Sequence, residues 1–290
     1  MEYLWLALAL FYAFAHAAVS VIDKKILSHK NIDPLALSAI RFAVNVIISF
    51  SILIVFLRPS LSEINAVVAL LSTFYFLAGL AYFYALKTDD VSKLVPYRDA
   101  IVTILSFSLA FLLLGESITT INILGVIAIA TGGYIVWTDG KITIPKKSTG
   151  ILLIGISAVF LSFYGITAKV SVLDVHPLML SFFMYLLVAS YFTATNLVFN
   201  RKNLKDTGKT ILSERKTRIL IIMASAFAVV GSISLFFALS LENATKVLPI
   251  AGTLPLFAAI MGKRLLNEKH GKERIAGTLL ILVGIYLLYI

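Results

Sequence analysis

Long apolar runs separated by short polar breaks cover almost the whole chain. A run of roughly 17–25 apolar residues is long enough to cross the hydrocarbon of a bilayer as a helix. Ten such runs are present, at 3–22, 35–57, 65–86, 92–114, 118–137, 150–168, 177–199, 219–240, 245–265 and 274–290. The polar breaks are short apart from 200–218, which carries Arg201, Lys202, Lys205, Lys209, Arg215, Lys216 and Arg218. None is long enough to build a core of its own, so the pattern predicts an all-α integral membrane protein of ten transmembrane helices without a soluble domain. The first run ends near Ala15-His16-Ala17, which looks like a leader cleavage site, but no basic residue precedes it and Glu2 has the wrong sign. It is therefore read as a span.

The order of residues along the chain repeats. A shift of 153 carries Ala85, Leu86, Lys93 and Pro96 onto Ala238, Leu239, Lys246 and Pro249. A shift of 152 carries Glu116, Gly125, Gly132 and Tyr134 onto Glu268, Gly277, Gly284 and Tyr286. The chain thus divides into a first five-helix repeat, 1–140, and a second, 141–290. Five spans is an odd number, so the second copy enters the membrane inverted, and both termini fall on one side. In inverted-repeat transporters the binding site lies where the copies meet.

Composition agrees. The chain is 60% hydrophobic and 14% charged, against about 45–50% and about 25% in soluble domains. With no cysteine, thiol catalysis, disulfides and thiolate metal sites are excluded, and four scattered histidines make a poor metal set. No metal and no cofactor are expected. The net charge of +10 lies in short loops, where it sets orientation and meets anionic lipid headgroups rather than nucleic acid. Odd-numbered loops and the span ends bordering them hold 20 of the 25 Lys and Arg residues. The positive-inside rule then places those loops in the cytoplasm and both termini outside a plasma or inner membrane.

Several local patterns resemble one family. Pro34 precedes Leu35-Ala36-Leu37-Ser38-Ala39-Ile40-Arg41-Phe42, a proline followed by an Arg-Phe pair. Ala85, Pro96, Gly115-Glu116, Gly125 and Gly132-Gly133 recur as Ala238, Pro249, Asn267-Glu268, Gly277 and Gly284. The whole chain resembles the EamA type of the drug/metabolite transporter superfamily. That resemblance implies a 5+5 inverted repeat moving a small organic solute by alternating access, with spans 1–4 and 6–9 around the cavity and spans 5 and 10 peripheral. Asn267 departs from the glycine usual there, and the family is usually drawn with both termini inside.

Ionisable groups within spans are costly and mark function or structure. Arg41, Lys93, Arg98 and Lys246 are the candidate solute-binding cations, and Asp99 and His16 the candidate proton-coupling groups. Arg98 and Asp99 correspond to Ala251 and Gly252 in the second copy, so the fold alone does not demand charge there. Neighbours on a helix point about 100° apart, so Arg98 and Asp99 are not expected to pair with each other. All but Arg98 also have a structural reading: snorkelling for Arg41, Lys93 and Lys246, a hydrogen-bonded packing role for His16, and pairing with Arg41 or Lys93 for Asp99. Arg41, Lys93 and Arg98 against Asp99 alone leave positive charge in the cavity, which suits a carboxylate or phosphate. Tyr75 and Tyr82 share one face of span 3, where they either line the site with ring and hydroxyl or belong to the packing and interfacial belt that aromatic stripes usually form.

Glu116 and Glu268 are expected to stabilise the N-terminus of the helix that follows each. The paired glycines are expected to form a close-packing face within the chain or a homodimer contact. The expected function is secondary transport of an anionic or zwitterionic metabolite, such as an amino acid or a phosphorylated compound. The alternatives are a membrane enzyme acting on lipid-linked substrates, which lacks a visible nucleophile–base or carboxylate–metal set, and a channel or scaffold without alternating access.

Overall fold

A computed structural model of the chain describes residues 3–27, 31–57, 65–85, 91–138, 149–265 and 272–289. Among these residues there are twelve helices and no strand. The first five are α1 (Leu4–Leu27), α2 (Pro34–Phe56), α3 (Ala66–Ala85), α4 (Val91–Leu114) and α5 (Thr120–Thr138). The second half holds α6 (Thr149–Asp174), α7 (Pro177–Phe199), α8 (Arg201–Ser213), α9 (Arg215–Leu241), α10 (Ala244–Ala251), α11 (Leu254–Leu265) and α12 (Lys272–Tyr289). Each of the ten predicted spans coincides with helix, and among the described residues six of these helices are long and apolar enough to cross a membrane. Two features differ from the reading of the sequence: α8 is an extra helix inside the basic 200–218 segment, and the ninth span is split into α10 and α11.

The second span of each half starts the same way. Pro34 and Pro177 each stand in the first turn, where the missing N–H costs nothing. The preceding side chain caps the helix: Asp33 Oδ1 accepts from the Ala36 N–H at 3.0 Å, and His176 Nδ1 from the Leu178 N–H at 3.3 Å.

Packing follows the inverted repeat. The first span of each half lies against the third span of the other, α1 on α9 and α6 on α3, while α2 meets α7 and α5 meets α12. Lipid tails are as apolar as leucine, so close packing and interhelical hydrogen bonds hold the spans together. Ser157 Oγ donates to the Ala78 carbonyl at 2.8 Å, Tyr185 Oη to the Ala228 carbonyl at 2.9 Å, and Asn196 Nδ2 to the Leu35 carbonyl at 2.9 Å. Phe42 and Phe192 stack with centroids 5.1 Å apart.

The glycine faces join α5 to α12. A Cβ on Gly132 would lie 2.6 Å from the Gly277 carbonyl oxygen, and one on Gly284 would lie 2.6 Å from that of Gly125. This face is buried within one chain, so it packs the two halves together and is not free for a second copy.

The extra helix α8 is amphipathic and lies against the ends of spans from both halves. Its buried residues are Thr207 and Ile211. Thr207 Oγ1 accepts from the Asp33 N–H at 3.1 Å, and Ile211 packs with Ile26, Leu37 and Ile221. Its lysines Lys202, Lys205 and Lys209 are exposed.

Candidate functional site

Two small cavities lie between the halves, of about 100 Å³ and 70 Å³. His16, Tyr75, Arg98, Leu161 and Leu254 border both, so these side chains form the partition between them. The larger cavity also reaches Asp99 and Ser106 of α4, Tyr164 of α6, and Ala251 and Gly252 at the break in the ninth span. The smaller reaches Asp23 of α1, Arg41 of α2 and Tyr82 of α3.

Arg41 lies two turns into α2 and is 6% exposed. It forms an ion pair with Asp23 of α1, itself 3% exposed. Asp23 was placed just beyond the first predicted span at 3–22; the helix continues to Leu27 and carries this carboxylate inward. Arg41 Nε and Asp23 Oδ1 have no hydrogen-bond partner among the described residues.

Arg98 and Asp99 do pair, contrary to the expectation from their helical directions. Nε and Nη2 of Arg98 both reach Asp99 Oδ1, at 3.0 and 2.9 Å. The long stem of arginine can span the angle between neighbouring positions, and a buried guanidinium takes whichever acceptor is near. Its plane also lies over the Tyr82 ring, 5.0 Å from the centroid. Asp99 Oδ2 faces no donor among the described residues.

The charge expected in the cavity changes accordingly. In place of three cations against Asp99 alone, the described groups form two neutral pairs, Asp23–Arg41 and Arg98–Asp99. Lys93 stands in the first turn of α4, and its side chain lies outside the described residues. Lys246 stands in the first turn of α10, 3.7 Å from Glu242, and borders neither cavity.

His16 and the tyrosines gather at the centre. The His16 ring lies 4.3 Å from that of Tyr12, and its Nε2 has no partner among the described residues. Tyr75 packs 4.7 Å from Tyr164 and 5.9 Å from Phe42. Of the sequence candidates, Arg41, Tyr75, Tyr82, Arg98, Asp99 and His16 thus converge on the two cavities.

Glu116 does meet a helix N-terminus, but of α10 in the other half rather than of α5. Its two carboxylate oxygens accept from the N–H groups of Ala244 and Thr245 at 2.8 and 2.7 Å. Across the same turn, Lys169 Nζ of α6 donates to the Leu239 and Glu242 carbonyls at 2.8 and 2.9 Å. An anion at a helix start and a cation at a helix end both suit the macrodipole. Lys169 counted only as a loop cation in the sequence reading, because its span was drawn to stop at 168. Glu268 lies outside the described residues.

Comparison with known proteins agrees with this architecture. The EamA-like transporter family matches residues 3–138 and again 148–290. No curated protein sequence gives a significant match. One solved crystal structure superposes with a TM-score of 0.78 at 13% identity, over 98% of this chain and 95% of its own; at that identity the likeness is one of fold. Two matched copies spanning nearly the whole chain, each supplying five membrane spans, show that this multi-pass membrane protein belongs to the EamA-like transporter family.

Proposed function

We propose that the protein carries a small organic metabolite through the junction of its halves by alternating access, and that the solute bears a carboxylate or phosphate, most fittingly within a zwitterion such as an amino acid. The observation that carries this reading is the position of Arg98. It borders both cavities, rests on Tyr82, and among the described residues has one oxygen of Asp99 as its ionic partner. A solute carboxylate can take the guanidinium fork while Asp99 turns to a positive group on the same molecule. Two neutral pairs at the centre favour a dipolar solute over one carrying only negative charge.

The cavities of about 100 and 70 Å³ are small beside the 300–1,000 Å³ usual for ligand pockets. Movement of the shared partition, Tyr75, His16 and Arg98, would merge them. The two membrane ends are tied differently: Glu116 and Lys169 hold the 242–245 turn at one, and α8 with Asp33 brackets the other. Loosening one set at a time exposes the centre to one side at a time, which is what alternating access requires.

The first test is thermal unfolding of the detergent-purified protein with amino acids, carboxylates, phosphorylated compounds and organic cations. A ligand at 100 times its Kd should add about 2.7 kcal/mol. Stabilisation by zwitterions or anions is expected, with binding weakened about tenfold or more in Arg98→Gln. The ligand found should then show saturable counterflow in proteoliposomes. Stabilisation by cations alone would overturn the carboxylate reading, and flux that never saturates would overturn alternating access.

A further inference from the structure

The break in the ninth span lies opposite Asp99, and the sequence explains why it is there. A continuous helix would give the Ala251 carbonyl the N–H of residue 255, but that residue is Pro255 and has none. The Leu256 N–H, which would serve Gly252, turns to the Thr253 carbonyl at 3.0 Å. The Thr253 N–H turns to Ile250, also at 3.0 Å, instead of the Pro249 carbonyl. The helical donors for the carbonyls at 249, 251 and 252 are therefore gone. Ala251 and Gly252 border the larger cavity together with Asp99.

Three further features point the same way. Asp99 is 4% exposed and its Oδ2 has no partner among the described residues, because both Arg98 contacts fall on Oδ1. Ser106 Oγ, on the same cavity, donates its hydrogen to the Val102 carbonyl at 2.6 Å, leaving its lone pairs as acceptors. Thr103, which donates to the Asp99 carbonyl at 2.9 Å, packs so closely on the break that a Cβ at Gly252 would strike its hydroxyl. Asp99 and Gly252 are equivalent positions in the repeat and border the same cavity, so the carboxylate of one half meets the unwound backbone of the other where the two copies join.

We infer that the break at Ala251–Gly252 and the free oxygen of Asp99 form a binding site for a monovalent cation. The site offers a carboxylate oxygen, a hydroxyl and unwound backbone at the carbonyl end of α10, where the helix dipole favours positive charge. A single carboxylate suits one positive charge; a calcium-like ion takes 6–8 oxygens, several of them from carboxylates. The other charged or titratable groups on the cavity are Arg98, held on Oδ1, His16, and the tyrosines Tyr12, Tyr75 and Tyr164. One chemistry admits two sources, an alkali metal ion that couples to transport or the ammonium group of the solute.

The test is thermal unfolding of the full-length protein in detergent, titrated with NaCl, LiCl, KCl or methylammonium chloride. Total salt is held constant with N-methyl-D-glucamine chloride, whose cation is too bulky for the cavity. A saturable rise with an alkali ion assigns the site to a coupling ion, and a rise with methylammonium alone assigns it to the amine of the solute. Arg98→Gln frees the second oxygen and should tighten cation binding by about tenfold, while weakening carboxylate binding. The double variant Arg98→Gln/Asp99→Asn leaves no unpaired buried charge, so it should fold and lose the response. No saturable response to any of the four, or one undiminished in the double variant, would overturn the site. Loss of counterflow with the cation response intact would instead remove the transport reading and leave the site standing.

Discussion

The Asp23–Arg41 pair joins two helices of the first half on the wall of a cavity, and its energetics separate structure from binding. Taking two charges out of water is costly, and their attraction roughly offsets that cost only while both are present. Arg41→Met should therefore destabilise the protein by about 3–5 kcal/mol because Asp23 is left alone, whereas Asp23→Asn/Arg41→Met should unfold close to the wild type. Thermal unfolding in detergent decides it; a single variant as stable as the wild type would mean Arg41 is held by something other than Asp23. Arg41 was legible as an ionisable residue in a span. Its partner was not, because hydropathy alone ended the first span five residues short of Leu27. The pairing of Arg98 with Asp99 was missed because a rule about helix directions was applied to one of the longest side chains.

Among the elements, α5 and α12 show how closely glycine lets backbones approach. Gly132→Val would drive a side chain into the Gly277 carbonyl and the Ile281 side chain, and should cost about 1–3 kcal/mol or more through overpacking. Gly208 in α8 has open space around it, so Gly208→Ala should stabilise by about 0.5–1 kcal/mol. Equal effects of the two on the unfolding temperature would contradict the packing described. The seven-residue glycine spacing was readable in the sequence, and only the assembled bundle shows that the face is used up inside the chain. The split of the ninth span had a signal too, Pro249 and Pro255 flanking Gly252, but uniform hydropathy across 245–265 concealed it. The helix α8 was hidden in the same way, since the seven basic residues of the 200–218 segment, four of them in α8, outweigh the spacing of Leu204, Thr207 and Ile211.

For the whole molecule, the charge bias predicts which end faces the cytoplasm. Ser213, the last residue of α8 just before α9 begins, and Ser240, near the far end of α9, are both exposed, and the chain has no cysteine of its own. In intact cells Ser240→Cys should react with a membrane-impermeant maleimide, while Ser213→Cys should react only after permeabilisation. The reverse pattern would place both termini inside.

Much of this architecture follows from one-dimensional information. Span length is set by bilayer thickness, duplication is visible as constant offsets, and an odd number of spans per copy forces inversion. In-span charges stand out because hydrocarbon does not solvate them, so Arg41, Arg98 and Asp99 could be named without a structure. Which charges neutralise one another could not. Partners such as Asp23 and Arg41, Glu116 and the start of α10, or Asp99 and the break at Gly252 are set by where inverted helices cross, and those crossings depend on small residues and proline-freed backbone acting together across both halves.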